Sequence, residues 1–414
     1  MKKLLLPIFI FSSLLFGQAG STAVPFLLIS TSVEANGMGG IMTVANSSSP
    51  SSMMFNPAQL GMSSQTDFLS TEMYSHKTQW LPQFRLSDLW INNYSIMYGM
   101  KLPEDDKSNI SVGFGYSRLF LNLGRFIVTT EKGPEPIATF DGYETSDNFS
   151  MGIGVDLGIT VAFGTTIKKI TSKLSPIGTA MEKTAGTANV WATDIGLLAK
   201  IPVMDYLFKD NKLPEKTFTP FFDITSAYTL NNLGGSVWYI DASQADPLPR
   251  TARLGWSGEA GIKFHSEKID VSLITLTIAR EAENLLVKKN LDGTWNYEGI
   301  PFGNINIYNN LIASEANGYI TVRRGFSAEF FETVTIRQGS YEGEGNLSYS
   351  TSGYTISTRG ISNIINRPES TTTDFNPVRF ILSHLEIRFS HSEYEGHQIV
   401  GGTKFDNLIF SFHH

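Results

Sequence analysis

Phe149-Ser150-Met151-Gly152-Ile153-Gly154-Val155-Asp156-Leu157-Gly158-Ile159-Thr160-Val161-Ala162-Phe163 sets a large apolar residue against a small or polar one at every step. Side chains of an extended chain point to alternate faces, so this pattern builds one wholly apolar face and one of Ser, Gly, Asp, Thr and Ala. One long strand would satisfy it, and so would two strands turning at Asp156-Leu157-Gly158. Asp-x-Gly is turn chemistry and favours two. Residues 110–120 repeat the form, with Ile110, Val112, Phe114 and Tyr116 opposed to Ser111, Gly113, Gly115 and Ser117. Fainter alternation runs through 67–74, 94–101, 191–200, 221–230, 252–264, 269–277, 328–337, 349–358, 378–389 and 407–412. Turn signals fall at Pro103-Glu104-Asp105-Asp106, Lys132-Gly133-Pro134, Asn231-Asn232-Leu233-Gly234-Gly235 and Asn290-Leu291-Asp292-Gly293. The chain reads as all-β.

A soluble sandwich also alternates, but its second face carries Lys and Glu. Here that face is Gly and Ser, and only 17% of the 414 residues are charged while 12% are aromatic. Soluble domains are about 25% charged. Tyr74, Trp80, Trp90, Tyr94, Trp191, Trp238 and Trp256 lie near strand ends, as interfacial girdles do. The final strand alternates through Leu408, Phe410 and Phe412 before His413-His414. The expectation is a transmembrane antiparallel β-barrel over residues 63–414.

Met1-Lys2-Lys3, an apolar run over 4–16 and small residues at Gly17-Gln18-Ala19 have the form of a secretory signal peptide over 1–19. The run is shorter than the roughly 18–20 apolar residues of a spanning helix. An exported barrel belongs in the cell outer membrane, with outer-membrane lipid as its surroundings.

Between signal and barrel, residues 20–62 follow neither period. Val24 to Ile29 form an apolar run, followed by Gly37-Met38-Gly39-Gly40, a serine tract over 47–52, and Met53-Met54-Phe55-Asn56-Pro57-Ala58. This composition suits a compact irregular segment packed against something larger, a plug with β-structure built around it.

Several chemistries are excluded. The chain contains no cysteine, so disulfides and thiolate sites are out. Its net charge is -7 with no Lys/Arg block, which argues against a nucleic-acid partner. The 7 histidines show no zinc-helix spacing. There is no phosphate loop or dinucleotide fingerprint, so no cofactor and no metal site is expected. Ser383, His384 and His391 are the only residues that suggest a serine hydrolase, and polar lumen or loop positions account for them more simply. The acidic clusters at 104–106, at Glu281 and Glu283, and at Glu342 and Glu344 read as solvated hairpin charges. The chain is expected not to be an enzyme.

Three places resemble the PorV/PorQ family of outer-membrane proteins, relatives of the FadL-type long-chain fatty-acid transporters. The first is Ala23-Val24-Pro25-Phe26-Leu27-Leu28-Ile29 with Gly37-Met38-Gly39-Gly40 and Asn56-Pro57-Ala58 following. The second is Tyr228-Thr229-Leu230-Asn231-Asn232-Leu233-Gly234, leading to Pro247-Leu248-Pro249-Arg250 and Arg253-Leu254-Gly255. The third runs from Glu329 through Ile336-Arg337-Gln338-Gly339-Ser340-Tyr341 to Ser352-Gly353-Tyr354. The chain departs from the family in carrying Glu34 where members often have Arg.

The resemblance implies a barrel of 14 strands with residues 20–62 folded inside as a hatch. Gly37, Gly39 and Gly40 would let its backbone approach the wall, and Asn56, Pro57 and Ala58 would turn the chain where it leaves the lumen. It also implies a part in type IX secretion, escorting cargo with a conserved C-terminal domain from the translocon, with loops near 174–189 and 281–318 as contacts. The alternative is a FadL-like passive transporter that binds a hydrophobic ligand in the lumen. The Gly/Ser/Thr face of the clearest strands weighs slightly against an apolar pocket inside.

Overall fold

The computed structural model describes residues 22–44, 49–66, 68–102, 109–130, 133–175, 186–207, 217–242, 245–266, 269–290, 295–297, 299–343, 347–365 and 384–413. The signal read at 1–19, the acidic residues 104–106 and 344, Ser383 and most of 174–189 lie outside them.

Alternation produces strands throughout: β1 (Phe68–Tyr74), β2 (Leu89–Lys101), β3 (Asn109–Thr130), β4 (Gly133–Asp156), β5 (Thr160–Ser175), β6 (Gly186–Pro202), β7 (Phe218–Gly234), β8 (Thr251–Ser266), β9 (Ile269–Leu285), β10 (Ile320–Phe330), β11 (Val334–Glu342), β12 (Ser348–Ser357), β13 (Leu385–Glu395) and β14 (Lys404–His413). Each pairs antiparallel with the next. β1 also pairs with β14, placing Thr71 opposite both Ile96 and Phe410. The sheet therefore closes into a 14-strand barrel and leaves no open edge. The two termini of the barrel, Phe68 and His413, share one end, called here the terminus end. The connection 286–319, among others, leaves from the opposite, loop end.

The stretch 149–163 forms two strands. Gly158 turns between them at φ 91°, and its N–H donates to Asp156 Oδ1 at 2.9 Å. The apolar face points outward, leaving Phe149 53%, Phe163 47% and Ile167 51% exposed, as a lipid-facing belt requires. Outside, Trp90 stacks on Phe120 at 5.1 Å and Phe120 on Tyr143 at 5.6 Å.

Four expectations are corrected. Residues 328–337 hold the ends of two strands, because Phe331 and Glu332 turn the chain at φ 53° and 51°; no Gly or Asn marks that turn. Asn231 and Asn232 lie inside β7, where a bulge opposite Thr193 and Ile195 replaces the expected turn. Tyr74 and Trp80 do not join the outer girdle; both are buried inside, in contact range of Phe405. Glu281 and Glu283 are not solvated hairpin charges but buried wall residues of β9.

Candidate functional site

The lumen holds the N-terminal segment. Its described residues between 23 and 64 are almost all buried, and its regular structure is limited to the short helices Pro25–Leu28, Val33–Gly37, Pro50–Met54 and Ala58–Ser63. Two seams of wall glycine make room for it. On one side a Cβ at Gly152 would stand 2.6 Å from Gly61 N and 2.8 Å from Pro57 O. Gly154, Gly164 and Gly196 are likewise filled by Gly61, the Pro57–Ala58 peptide and Asn56. The short helix Ala58–Ser63 thus lies backbone to backbone on β3–β6. On the other side a Cβ at Gly325 would meet Met38 at 2.8 Å, and Gly339 and Gly353 abut Gly39 and Gly37. Gly39 itself takes φ 77°, a left-handed conformation that L side chains disfavour. The small-residue face seen in the sequence is therefore a docking face.

Hydrogen bonds finish the seat. The hatch helix Val33–Gly37 is capped by Ser32, whose Oγ accepts from Ala35 N at 3.2 Å. Glu34 accepts from wall Ser390 Oγ at 2.8 Å, and Asn36 Oδ1 accepts from Tyr394 OH at 2.9 Å. Gly39 N donates to Thr351 Oγ1 at 2.8 Å. Glu281 Oε2 accepts from Met42 N, Thr43 N and Thr43 Oγ1, each at 2.8 Å. Its other oxygen accepts from Arg323 Nη1 at 3.0 Å, and Glu283 pairs with Arg323 and Arg253 at 2.8 Å each. Glu72 performs the same service for the serine tract, accepting from Ser49 Oγ (2.7 Å), Ser51 N (2.9 Å) and Ser51 Oγ (3.0 Å). Irregular backbone at membrane depth needs such partners, because lipid offers none.

The hatch residues singled out in the sequence divide into two groups. Gly37, Gly39 and Gly40 lie on the β10–β12 side, while Asn56, Pro57 and Ala58 lie against β4–β6. Asn56 is fully buried and joins two parts of the hatch. Its Nδ2 donates to Thr43 O at 2.7 Å, and its Oδ1 accepts from Ala58 N at 3.1 Å. The chain does not leave the lumen there; it continues through Ala58–Ser63, and Gln65 Nε2 still bonds Ser111 on the wall. Reading the sequence missed Glu72, Glu281, Glu283, Arg253 and Arg323. The i, i+2 spacing of Glu281 and Glu283 was the available signal, since it puts both on one face of a strand.

The segment divides the lumen into two environments. Toward the loop end, Phe26, Leu27 and Ile29 pack into a chamber with Tyr74, Trp80, Leu121, Tyr394 and Phe405. Along its wall Tyr341, Tyr349, Tyr394 and Phe405 run in sequence at 4.7, 4.9 and 5.2 Å between rings. A cavity of about 40 Å³ remains between Leu28, Ile29, Met42 and Trp80. Toward the terminus end a larger cavity of about 400 Å³ is lined by Glu34, Gln59, Lys200, Glu259, Glu329 and Arg337. Lys200 there pairs with Asp223 at 2.8 Å.

No family model matches the chain, and no curated protein matches it. Among solved structures it is similar to the Pseudomonas putida toluene transporter TodX, at 11% identity and TM-score 0.38, over 92% of this chain and 96% of that one. It is similar also to a Pseudomonas aeruginosa FadL homologue, at 10% identity and TM-score 0.33, over 92% and 97%. The translocator domain of the Neisseria meningitidis autotransporter NalP matches at 11% identity and TM-score 0.33, over 84% and 88%.

Of the serine hydrolase candidates, Ser383 lies outside the described residues. His384 stacks on Phe412 at 5.7 Å. His391 faces outward and bonds Asp406 at 2.7 Å through Nδ1, with Tyr354 lying over its ring at 5.3 Å.

Proposed function

We propose that this barrel resides in the outer membrane and passes hydrophobic small molecules, of the fatty-acid or hydrocarbon class, without catalysing a reaction. The observation that carries this reading is the aromatic chamber at the loop end. Its occupant is an apolar piece of the protein's own chain, Val24 to Ile29, seated as an apolar ligand would be. That piece is held mainly by packing. Its first turn is the four-residue 3₁₀ helix Pro25–Leu28, and the start of the segment is tied to the rim by Ala23 N donating to Pro247 O at 2.9 Å. Displacing it would open a pocket walled mainly by aromatic and aliphatic side chains, with the paired Glu283 and Arg323 as its charged groups, the usual mix of a site for largely apolar ligands. The charged cavity below would disfavour onward passage along the axis, so the solute would leave through the wall when the hatch between Gly37 and Pro57 shifts.

The test is uptake of a radiolabelled long-chain fatty acid or aromatic hydrocarbon into vesicles carrying the purified protein, with glucose as the polar control. Faster equilibration of the apolar solute alone supports the reading. Equal rates with and without protein would sink it.

The second reading, an escort for secreted proteins, is favoured by a different observation. The hatch fills the lumen at the loop end, while Trp238, Tyr297, Ile300 and Tyr319 stand 42–56% exposed on loop-end connections. A deletion strain that loses surface proteins sharing a C-terminal domain would support it; an unchanged surface proteome would remove it.

A further inference from the structure

The described residues between 299 and 319 fold back along the outside of the barrel. The outward face of β8–β10 is consequently covered near the loop end. Ala282 and Ile320 are 0% and Val322 1% exposed, packed under Leu311 with Leu254 and Trp256. Trp256 Nε1 donates to Leu311 O at 3.2 Å, Phe302 meets Tyr228 edge-on at 5.3 Å, and Asn304 N donates to Asn284 Oδ1 at 2.8 Å. The outer side of this strap carries Ile307, Tyr308 and Ile312, exposed at 61, 70 and 60%.

Arg280 shares that outer face. Its neighbours Ala279 and Glu281 line the lumen, so Arg280 points outward, cross-strand from Arg324. Arg324 is neutralised by Glu342 at 2.7 Å and further held by Ser314 O. Arg280 makes one hydrogen bond among the described residues, from Nη1 to its own strand's Ala279 O at 2.9 Å, and no described carboxylate lies within ion-pair distance of it. Toward the terminus end, β9 continues outward as Ile278 and Leu276, 47 and 41% exposed. The lipid-facing belt therefore ends at a guanidinium with spare donors, beside an apolar crest.

We infer that Arg280 is the headgroup contact of a bound phosphate-bearing lipid in the leaflet at the loop end. The guanidinium fork matches phosphate oxygens, and Ile278, Leu276 and the strap's apolar crest flank the path of its acyl chains. Continuity with the lipid-facing belt specifies a lipid, and the unneutralised charge specifies an anionic one. The inference rests on the outer-membrane reading above.

The experiment uses the full chain purified in detergent, exposed to equimolar phosphatidylglycerol and phosphatidylcholine, with retained lipid counted by native mass spectrometry. Wild type retains phosphatidylglycerol in preference by roughly tenfold, the factor that a charge-assisted hydrogen bond supplies. Arg280→Gln abolishes the preference and Arg280→Lys keeps part of it, while heat-modifiable gel mobility shows both barrels intact. Equal retention by wild type, or unchanged preference in Arg280→Gln, overturns the inference. Displacement of the lipid by millimolar inorganic phosphate overturns the lipid assignment in favour of a free-phosphate site. Membrane fractionation separates the two levels. A chain absent from the outer membrane overturns the parent reading, and a chain present there without lipid preference overturns this inference alone.

Discussion

Glu281, on the barrel wall, grips Thr43 of the hatch twice, accepting from its backbone N–H and from its hydroxyl, each at 2.8 Å. One buried carboxylate thereby satisfies backbone donors in a stretch that has no regular structure to do so. Glu72 repeats the arrangement with Ser49 and Ser51. The hatch is fixed by the wall's carboxylates as much as by its own packing.

Glu281→Ala strands Met42 N and Thr43 N and removes one partner of Arg323. Breaking a buried pair on one side costs about 3–5 kcal/mol. The barrel retains its strands while the hatch loosens, so protease added to the folded protein should cut near residues 40–45. A hatch as resistant as wild type would refute this role.

Wall glycines decide whether the hatch can seat. Gly152→Val sets side-chain atoms where Gly61 N and Pro57 O now lie, so circular dichroism keeps its strand signal while hatch resistance to protease falls. Gly39→Ala adds roughly 1–2 kcal/mol for the left-handed backbone alone. Gly235→Ala, at a position with nothing within 4 Å, serves as the neutral comparison.

Lys168 and Asp194 form an ion pair of 2.7 Å, exposed at only 4% and 0%. Lys168→Met leaves the carboxylate buried without its cation and lowers stability by about 3–5 kcal/mol. The double variant Lys168→Met with Asp194→Leu recovers part of that loss, since Asn232 N, which donates to Asp194 Oδ1 at 2.7 Å, then loses its acceptor. The temperature at which the barrel loses its folded gel mobility reports both, and equal losses in single and double variants would contradict the prediction.

Deleting residues 22–29 empties the aromatic chamber without touching the strands. The truncated protein is expected to quench Trp80 fluorescence on binding a brominated fatty acid at lower concentration than wild type. Identical titrations would mean that the segment does not compete for the chamber.

Phe149→Arg places a cation on the lipid face in place of a side chain 53% exposed there. Near the bilayer midplane this costs roughly 2–4 kcal/mol. Urea titration of the protein folded into phosphatidylcholine vesicles measures it.

Period-two alternation determined the all-β fold and which face of each strand meets lipid, because those follow from side-chain direction along an extended chain. Phe149 to Phe163 carried that information in fifteen consecutive letters, down to the turn at Gly158. The sequence also marked residues 20–62 as distinct, since they follow neither strand nor helix period. What it could not determine was which wall residue meets which hatch residue. Glu281 lies 238 positions from Thr43, and only barrel closure brings them together. The turn at Phe331 and Glu332 was hidden for a related reason. Their left-handed backbone is imposed by the pairing of β10 with β11 and not by turn-forming residues. Local pattern set the strands and their faces; the seat of the hatch, the aromatic chamber and the strap outside the barrel are products of contacts between distant segments, which exist only once the sheet has closed.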